Sequence, residues 1–324
     1  MSRVAIIGAG IGGVVLGQAL AGRHDVVVFE KGRGVGGRMA TRQAPGFAFD
    51  HGAQFFTARD PRFVALVEQA MAAGAVGEWT APIASLGADG RLSLASPREP
   101  HYVGMPGMNS FVRALAGDVT IRSGVDLAPL TARGDDGWQL TDVAGTALGV
   151  FDWVISSTVP HQTRALFAGT GSDADALDGV VMLPCYALLL GFDAPLRQDW
   201  GMVRLDSGPL ALVVNNASKP GRDARVGTLV AHSSSAWAEG QLDADPVLTE
   251  AGMVAALRDG LDIDASAASF RALHRWKSAR LEGEANYPPF IDRQRGLAAT
   301  GDWTTGSRVE NVALSALELA GMVG

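Results

Sequence analysis

Short apolar runs alternate with glycine-rich breaks and helix-length amphipathic stretches along the chain, a pattern that predicts a layered α/β protein. Val4-Ala5-Ile6-Ile7 carries no polar residue, as expected of a strand covered on both faces. A glycine turn and a helix to about residue 20 follow, and then a second apolar strand over 25–29. Residues 61–73 predict a helix with Asp60 as its cap and Pro61 at its first position. Short strands are expected over 80–94, turning near Asp89-Gly90, and a helix over 108–116. Further strands are expected over 120–127, 138–141 and 151–156, where Trp153-Val154-Ile155 reads as a return to the first sheet.

Beyond residue 180 the pattern changes. Apolar stretches over 185–192, 210–214 and 227–232, separated by Asp, Gly and Pro turns, predict a mainly antiparallel second sheet. Asp245-Pro246 opens a helix to about residue 258, with Val247, Leu248, Met253 and Leu257 as its apolar face. A strand over 269–276 leads back toward the first sheet, and a helix over 309–322 closes the chain. The expected division assigns 1–60, 102–165 and 277–324 to one discontinuous domain, and 61–101 and 166–276 to a second.

Composition narrows the function classes. A length of 324 residues suffices for two domains with a substantial core. Asp and Glu outnumber Lys and Arg by 34 to 27, so no broad attraction for a nucleic-acid backbone is expected. The apolar run over 180–190 is too short for a typical membrane helix, which argues against integral membrane association. Cys185 is the one cysteine, so no intrachain disulfide forms, and a cytoplasmic setting is expected. It reads as a small buried side chain, and the six histidines lack metal-ligand spacing, so no metal is expected.

Gly8-Ala9-Gly10-Ile11-Gly12-Gly13 follows the first strand directly and fits the G-x-G-x-x-G pattern. There Gly8 permits a tight turn, Gly10 lets the backbone approach a diphosphate, and Gly13 lets the helix lie close to the sheet. Amides at the helix start can meet phosphate oxygens, and Glu30, closing the second strand, can accept hydrogen bonds from a ribose. These features predict a bound dinucleotide. Glu30-Lys31-Gly32-Arg33-Gly34-Val35-Gly36-Gly37-Arg38 is similar to the second glycine-rich segment of FAD enzymes of the amine-oxidase group. Arg38 is then the candidate partner for phosphate oxygens. Gly301-Asp302-Trp303 with Gly306-Ser307-Arg308-Val309-Glu310 resembles the closing FAD segment of that group. Asp302 is its candidate acceptor for ribityl or ribose hydroxyls, and the helix begun at Arg308 and Val309 points its positive end at the flavin. Gly52, Ala53 and Val125 complete the cofactor-binding candidates.

With Asp50-His51-Gly52-Ala53-Gln54-Phe55-Phe56, Gly104-Met105-Pro106-Gly107-Met108-Asn109, Pro184 to Phe192, Asn215 to Arg222 and His274-Arg275-Trp276, the chain resembles the bacterial renalase-like branch of the amine-oxidase-like flavoprotein superfamily. The fold this implies is α/β: a Rossmann-like FAD/NAD(P)-binding domain with a mainly antiparallel β-sheet substrate domain. The resemblance further implies noncovalent FAD, with a dihydronicotinamide nucleotide and oxygen as small-molecule partners. In that branch 2-dihydro and 6-dihydro forms of NAD(P) give hydride to flavin N5, and oxygen then yields hydrogen peroxide. A dihydropyridine need not lose a proton, so no essential acid-base pair is expected. Substrate-lining candidates are His51, Gln54, Tyr186, His232, Arg275 and Trp276, all but Gln54 with a structural alternative. Asn216 and Lys219-Pro220-Gly221-Arg222 form a polar turn, read as either a solvated connection or an approach to substrate phosphates. Two departures stand out: Asn311 replaces the usual glycine after Val309-Glu310, and Lys277-Ser278-Ala279 replaces an aromatic-alanine ending after Trp276. A small-amine oxidase, another FAD-dependent dehydrogenase and a noncatalytic redox sensor remain open alternatives.

Overall fold

The computed structural model describes residues 1–87, 89–285 and 287–323. A six-stranded sheet runs in the order Phe290–Asp292, Leu297–Ala299, Trp153–Ser156, Arg3–Ile7, Asp25–Glu30 and Thr120–Ser123. All neighbours pair in parallel except the edge strand Phe290–Asp292. Helices Ile11–Leu20, Asn109–Ala116 and Val309–Met322 cover one face, where Val14, Leu16, Phe111 and Leu319 are fully buried. Helix Pro61–Ala72 joins this core through Phe63 and Val67. Asp60 caps it, accepting from the Arg62 amide at 2.9 Å, with Pro61 in the first turn as the sequence predicts. The opposite face is covered by a three-stranded antiparallel sheet, whose Phe151 meets Phe29 edge-on at 5.7 Å.

A seven-stranded sheet, mainly antiparallel, forms the second layer system. Its order is Phe270–Leu281, Met182–Phe192, Gly227–Ser233, Leu210–Asn215, Met202–Leu205, Ile83–Leu86 and Leu92–Ala95. One parallel pairing, Met202 opposite Ile83, stitches in the early hairpin. Strand alternation then divides the side chains. Tyr186, Leu188 and Leu190 face helix Pro246–Leu261, whereas Ala187 and Leu189 lie beneath Phe49 of the hairpin Thr41–Ala44/Phe47–Asp50. That hairpin also stacks Phe49 on Phe270 at 5.4 Å, beside Trp276.

Three local expectations are corrected. Residues 151–156 are not one strand: Ala147–Phe151 belongs to the three-stranded sheet and Trp153–Ser156 to the six-stranded one. Asp152 makes the transfer, its amide donating to Arg3 O and its carboxylate accepting from Arg3 N at 2.7 Å. On helix Pro246–Leu261 the buried stripe is Thr249, Met253 and Leu257, four residues apart, while Val247 and Leu248 are 72% and 67% exposed. The strand expected over 120–127 stops at Ser123, and the Val125 amide instead donates to Glu30 O at 3.0 Å.

The second sheet and the nucleotide-binding half meet at Asp50, whose side chain is fully buried. Its carboxylate accepts from Lys219 Nζ at 3.1 Å, Arg222 Nη2 at 2.5 Å, Thr41 Oγ1 at 2.7 Å and the Met108 amide at 3.0 Å. Burial works against its charge, yet Lys219 and Arg222 hold the carboxyl at about 2. Asp50→Ala strands both cations without their partner and is expected to cost about 3–5 kcal/mol, read as a fall in the urea midpoint.

Candidate functional site

A single cavity of about 1020 Å³ runs from the first glycine turn to the face of the second sheet. That lies at the upper end of the roughly 300–1,000 Å³ typical of small-molecule sites. At its near end Gly8 turns at φ +104°, and the following Gly10 is open: a methyl group built there meets no protein atom within 4 Å. Gly13 is the reverse case, since a methyl group there would sit 1.9 Å from Gly8 O. Helix Ile11–Leu20 therefore starts against the cavity with no side-chain cap and no acidic residue in its first turn, leaving amides for an anion. Glu30 stands beside them, its carboxylate oriented by the Ala9 amide at 2.8 Å and the Gly32 amide at 2.6 Å. A carboxylate has further lone pairs for ribose hydroxyls. These features fit a dinucleotide diphosphate and its ribose.

Arg38 and Asp302 meet in the middle of the cavity wall. Arg38 donates to both Asp302 oxygens at 2.6 and 2.7 Å, and to Ala279 O at 3.1 Å. Ser307 Oγ donates to Asp302 Oδ2 at 3.0 Å and accepts from the Leu281 amide at 2.8 Å. Gly52 packs so closely against this turn that a Cβ would lie 2.0 Å from Arg38 O, and the Ala53 amide donates to that oxygen at 2.8 Å. Of the cofactor-binding candidates, Val125, Gly52, Ala53, Asp302 and Val309 all line the cavity. Arg308 does not: it is held by Thr57 Oγ1 at 2.6 Å and Glu310 Oε2 at 2.9 Å. As the residue preceding helix Val309–Met322, it is turned toward that helix's own first turn.

The far end is built on the second sheet. Cys185, His232, Leu212 and Trp276 share one sheet face, because Cys185 pairs with Trp276 and Leu212 with His232. Trp276 Nε1 donates to His51 O at 2.8 Å, and the His51 ring stacks behind Trp276 at 5.0 Å. His232 Nε2 lies 3.1 Å from the same carbonyl, which makes that nitrogen the donor. Gln54 lines the floor, bonded through Nε2 to Asp50 O and Gly52 O, and accepting at Oε1 from Lys219 at 2.9 Å. Burial lowers His51 and His232 to about 4, and burial raises Cys185 to about 11, so all three are neutral near pH 7.

Three of the substrate-lining expectations change. Tyr186 and Arg275 are register partners and both point to the opposite sheet face. Tyr186 donates to Gln241 O at 2.9 Å and Arg275 to Leu242 O at 3.0 Å, away from the cavity. Period-two alternation forbids Arg275 from sharing a side with its neighbour Trp276. His51 backs the wall through its ring and main-chain oxygen rather than lining it. Conversely, Cys185 lies in the wall, and within the polar turn Lys219 is neither solvated nor at the cavity mouth, since its ammonium is fully buried on Asp50, while Ser218 and Gly221 of that turn are exposed. The one available sign was a lysine in the short polar turn after the apolar run that ends at Val214, five residues before it.

The fold has known counterparts. Residues 6–70 match the family model for an NAD(P)-binding Rossmann-like domain. Over 51 residues the chain is 43% identical to the 4,4'-diapophytoene desaturase of Staphylococcus aureus, a match spanning 15% of this chain and 10% of that protein. Three solved structures are similar over 99% of this chain and 98% of their own. They are an Exiguobacterium protein ascribed a protoporphyrinogen oxidase activity (TM-score 0.77, 12% identity), putrescine oxidase bound to putrescine (0.73, 14%) and the cyclohexylamine oxidase of Brevibacterium oxydans (0.72, 14%). The chain has the fold of these oxidases. No described helix is long and apolar enough to cross a membrane.

The two glycines separate binding from folding. Gly10→Ala is expected to keep the wild-type melting temperature but lose dinucleotide affinity by tenfold or more in a titration, whereas Gly13→Ala lowers the melting temperature itself. The histidines predict an acid effect. With folded values near 4 against an unfolded value of about 6.5, their contribution is complete above pH 6.5 and lost as pH falls through 4. Melting temperature should fall across that window, and the fall should shrink in His232→Asn.

Proposed function

We propose that the protein is an FAD-dependent oxidoreductase of the amine-oxidase-like superfamily, and within it a renalase-like oxidase of 2-dihydro- and 6-dihydro-NAD(P). The observation that carries this reading is the continuity of one cavity of about 1020 Å³ from the Gly8–Gly10 turn and Glu30 to the Trp276 wall. The amides of helix Ile11–Leu20 and Glu30 would hold the dinucleotide end without a covalent bond, and Arg38, Asp302 and the start of helix Val309–Met322 would hold its centre. FAD, when bound, supplies a two-electron hydride acceptor that oxygen can reoxidise.

The chain's own contribution at the far end is placement. Trp276 is fixed by its bond to His51 O and by the His51 ring behind it, giving a rigid flat surface on which a ring can lie. Neutral His232, donating through Nε2, leaves Nδ1 as an acceptor for an amide N–H. Neutral side chains suit a donor that aromatises by losing hydride and has no proton to give up. Putrescine oxidase, similar in fold, suggests an amine instead. The carboxylates lining this cavity are Glu30, Asp126 and Asp302, and none lies on the second-sheet face, where an alkylammonium would need one.

The test is anaerobic mixing of the yellow holoprotein with separated 2-, 4- and 6-dihydro forms of NAD(P)H while the flavin spectrum is recorded. Bleaching by the 2- and 6-dihydro forms is expected, followed by recovery and peroxide on admitting oxygen. Bleaching by the ordinary 4-dihydro form alone, or by small amines alone, would reject the substrate assignment.

A further inference from the structure

Behind the Gln54 floor lies a charge imbalance that the reaction described above does not use. Asp50, Lys219 and Arg222 form one buried group, with side-chain exposures of 0%, 0% and 3%. One carboxylate faces two cations, which leaves a surplus positive charge out of solvent. Arg222 is turned away from the cavity, its remaining bonds going to Gly104 O at 2.8 Å and Pro220 O at 3.0 Å. Lys219 is turned toward it. The ammonium has three hydrogens and spends them on Asp50 Oδ2, Asn216 Oδ1 at 3.1 Å and Gln54 Oε1 at 2.9 Å. Gln54 is itself in the cavity wall, with its Nε2 3.4 Å from His232 Nε2. The charge therefore stands one amide away from the cavity, with the Trp79 ring face 5.7 Å from the ammonium on another side.

A charge so placed is not screened by water and acts on the cavity far more strongly than a surface lysine would. It favours any state of the cavity contents that carries more negative charge. We propose that Lys219 is a positioning residue that raises the electron affinity of the redox group bound in the cavity, by holding its charge behind Gln54 and by fixing which end of that amide faces the ring. The inference rests on the reading that the bound group is FAD. A like role for Arg222 is weaker, because its guanidinium shares Asp50 Oδ2 with Lys219 but makes no bond to Gln54.

The experiment is a reduction-potential measurement on FAD-loaded protein by equilibration with a reference dye, for wild type, Lys219→Met, Lys219→Arg and Arg222→Met. Both Met variants leave Asp50 with one cation, so the pairing that stabilises the fold survives. Lys219→Met is expected to shift the oxidised–reduced equilibrium tenfold or more toward the oxidised form, about 30 mV for two electrons. Lys219→Arg keeps the charge and should stay within threefold of wild type, and Arg222→Met should shift the equilibrium less than Lys219→Met. A wild-type potential in Lys219→Met, or an equal shift in Lys219→Arg, would overturn the proposal while leaving FAD binding intact. If Lys219→Met does not fold, Lys219→Gln carries the same expected shift, and an unchanged potential there overturns the proposal. Wild-type protein that takes up no FAD would overturn both this inference and the reading beneath it.

Discussion

Arg38 and Asp302 are 264 residues apart, yet their two-bond ion pair is the tie on which the cavity depends. Asp302 is nearly inaccessible while Arg38 is one-third exposed, so the pair sits at the boundary between core and cavity. Bidentate geometry fixes the guanidinium plane as well as its distance. The same guanidinium reaches the carbonyl of Ala279, and Ser307 links Asp302 to the Leu281 amide. Three segments distant in sequence are thereby held around one volume: the second glycine turn, the end of the long strand Phe270–Leu281 and the closing helix pair. Neither sheet encloses the cavity alone.

The second junction, at Asp50, works differently. It is buried on all sides, and its neighbours come from the hairpin, the Met108 turn and the Asn216–Arg222 turn. Arg38–Asp302 ties the middle of the cavity wall to the end of strand Phe270–Leu281, and Asp50 joins the halves beneath the far end, so the cavity is held by one partly exposed ion pair and one buried group. Burying charge costs folding free energy unless donors and acceptors are met, and here the Lys219 and Asp50 bonds are complete, with Arg222 Nε alone in the group left without a partner.

Much of this was legible in the sequence where local chemistry dictates geometry. The glycines at 8, 10 and 13, Glu30 closing its strand and the Asp60-Pro61 helix start all do locally what their residue types allow. What escaped was set by pairing between distant strands. The facing of Tyr186 and Arg275 follows from their mutual register, which no contiguous stretch encodes. Taking both Arg275 and its neighbour Trp276 as substrate-lining candidates ignored the two-residue period that puts them on opposite faces. Val247 and Leu248 were miscounted because the first turn of a helix can overhang the surface it packs on. Lys219 looked like surface because its partner Asp50 lies 169 residues away. The Arg38–Asp302 pairing was hidden for the same reason, although each residue alone was recognised.

The hairpin Thr41–Ala44/Phe47–Asp50 has a consequence of its own. Phe47 and Phe49 occupy the sheet face directly beyond Trp276, and Gly191 is bare because the Phe47 ring would lie 2.8 Å from any Cβ there. The sheet face beyond Trp276 is thus filled by a short contiguous hairpin, none of whose residues lines the cavity. Smaller residues in place of those two phenylalanines would bare that face beside Trp276, with every strand register left as it stands.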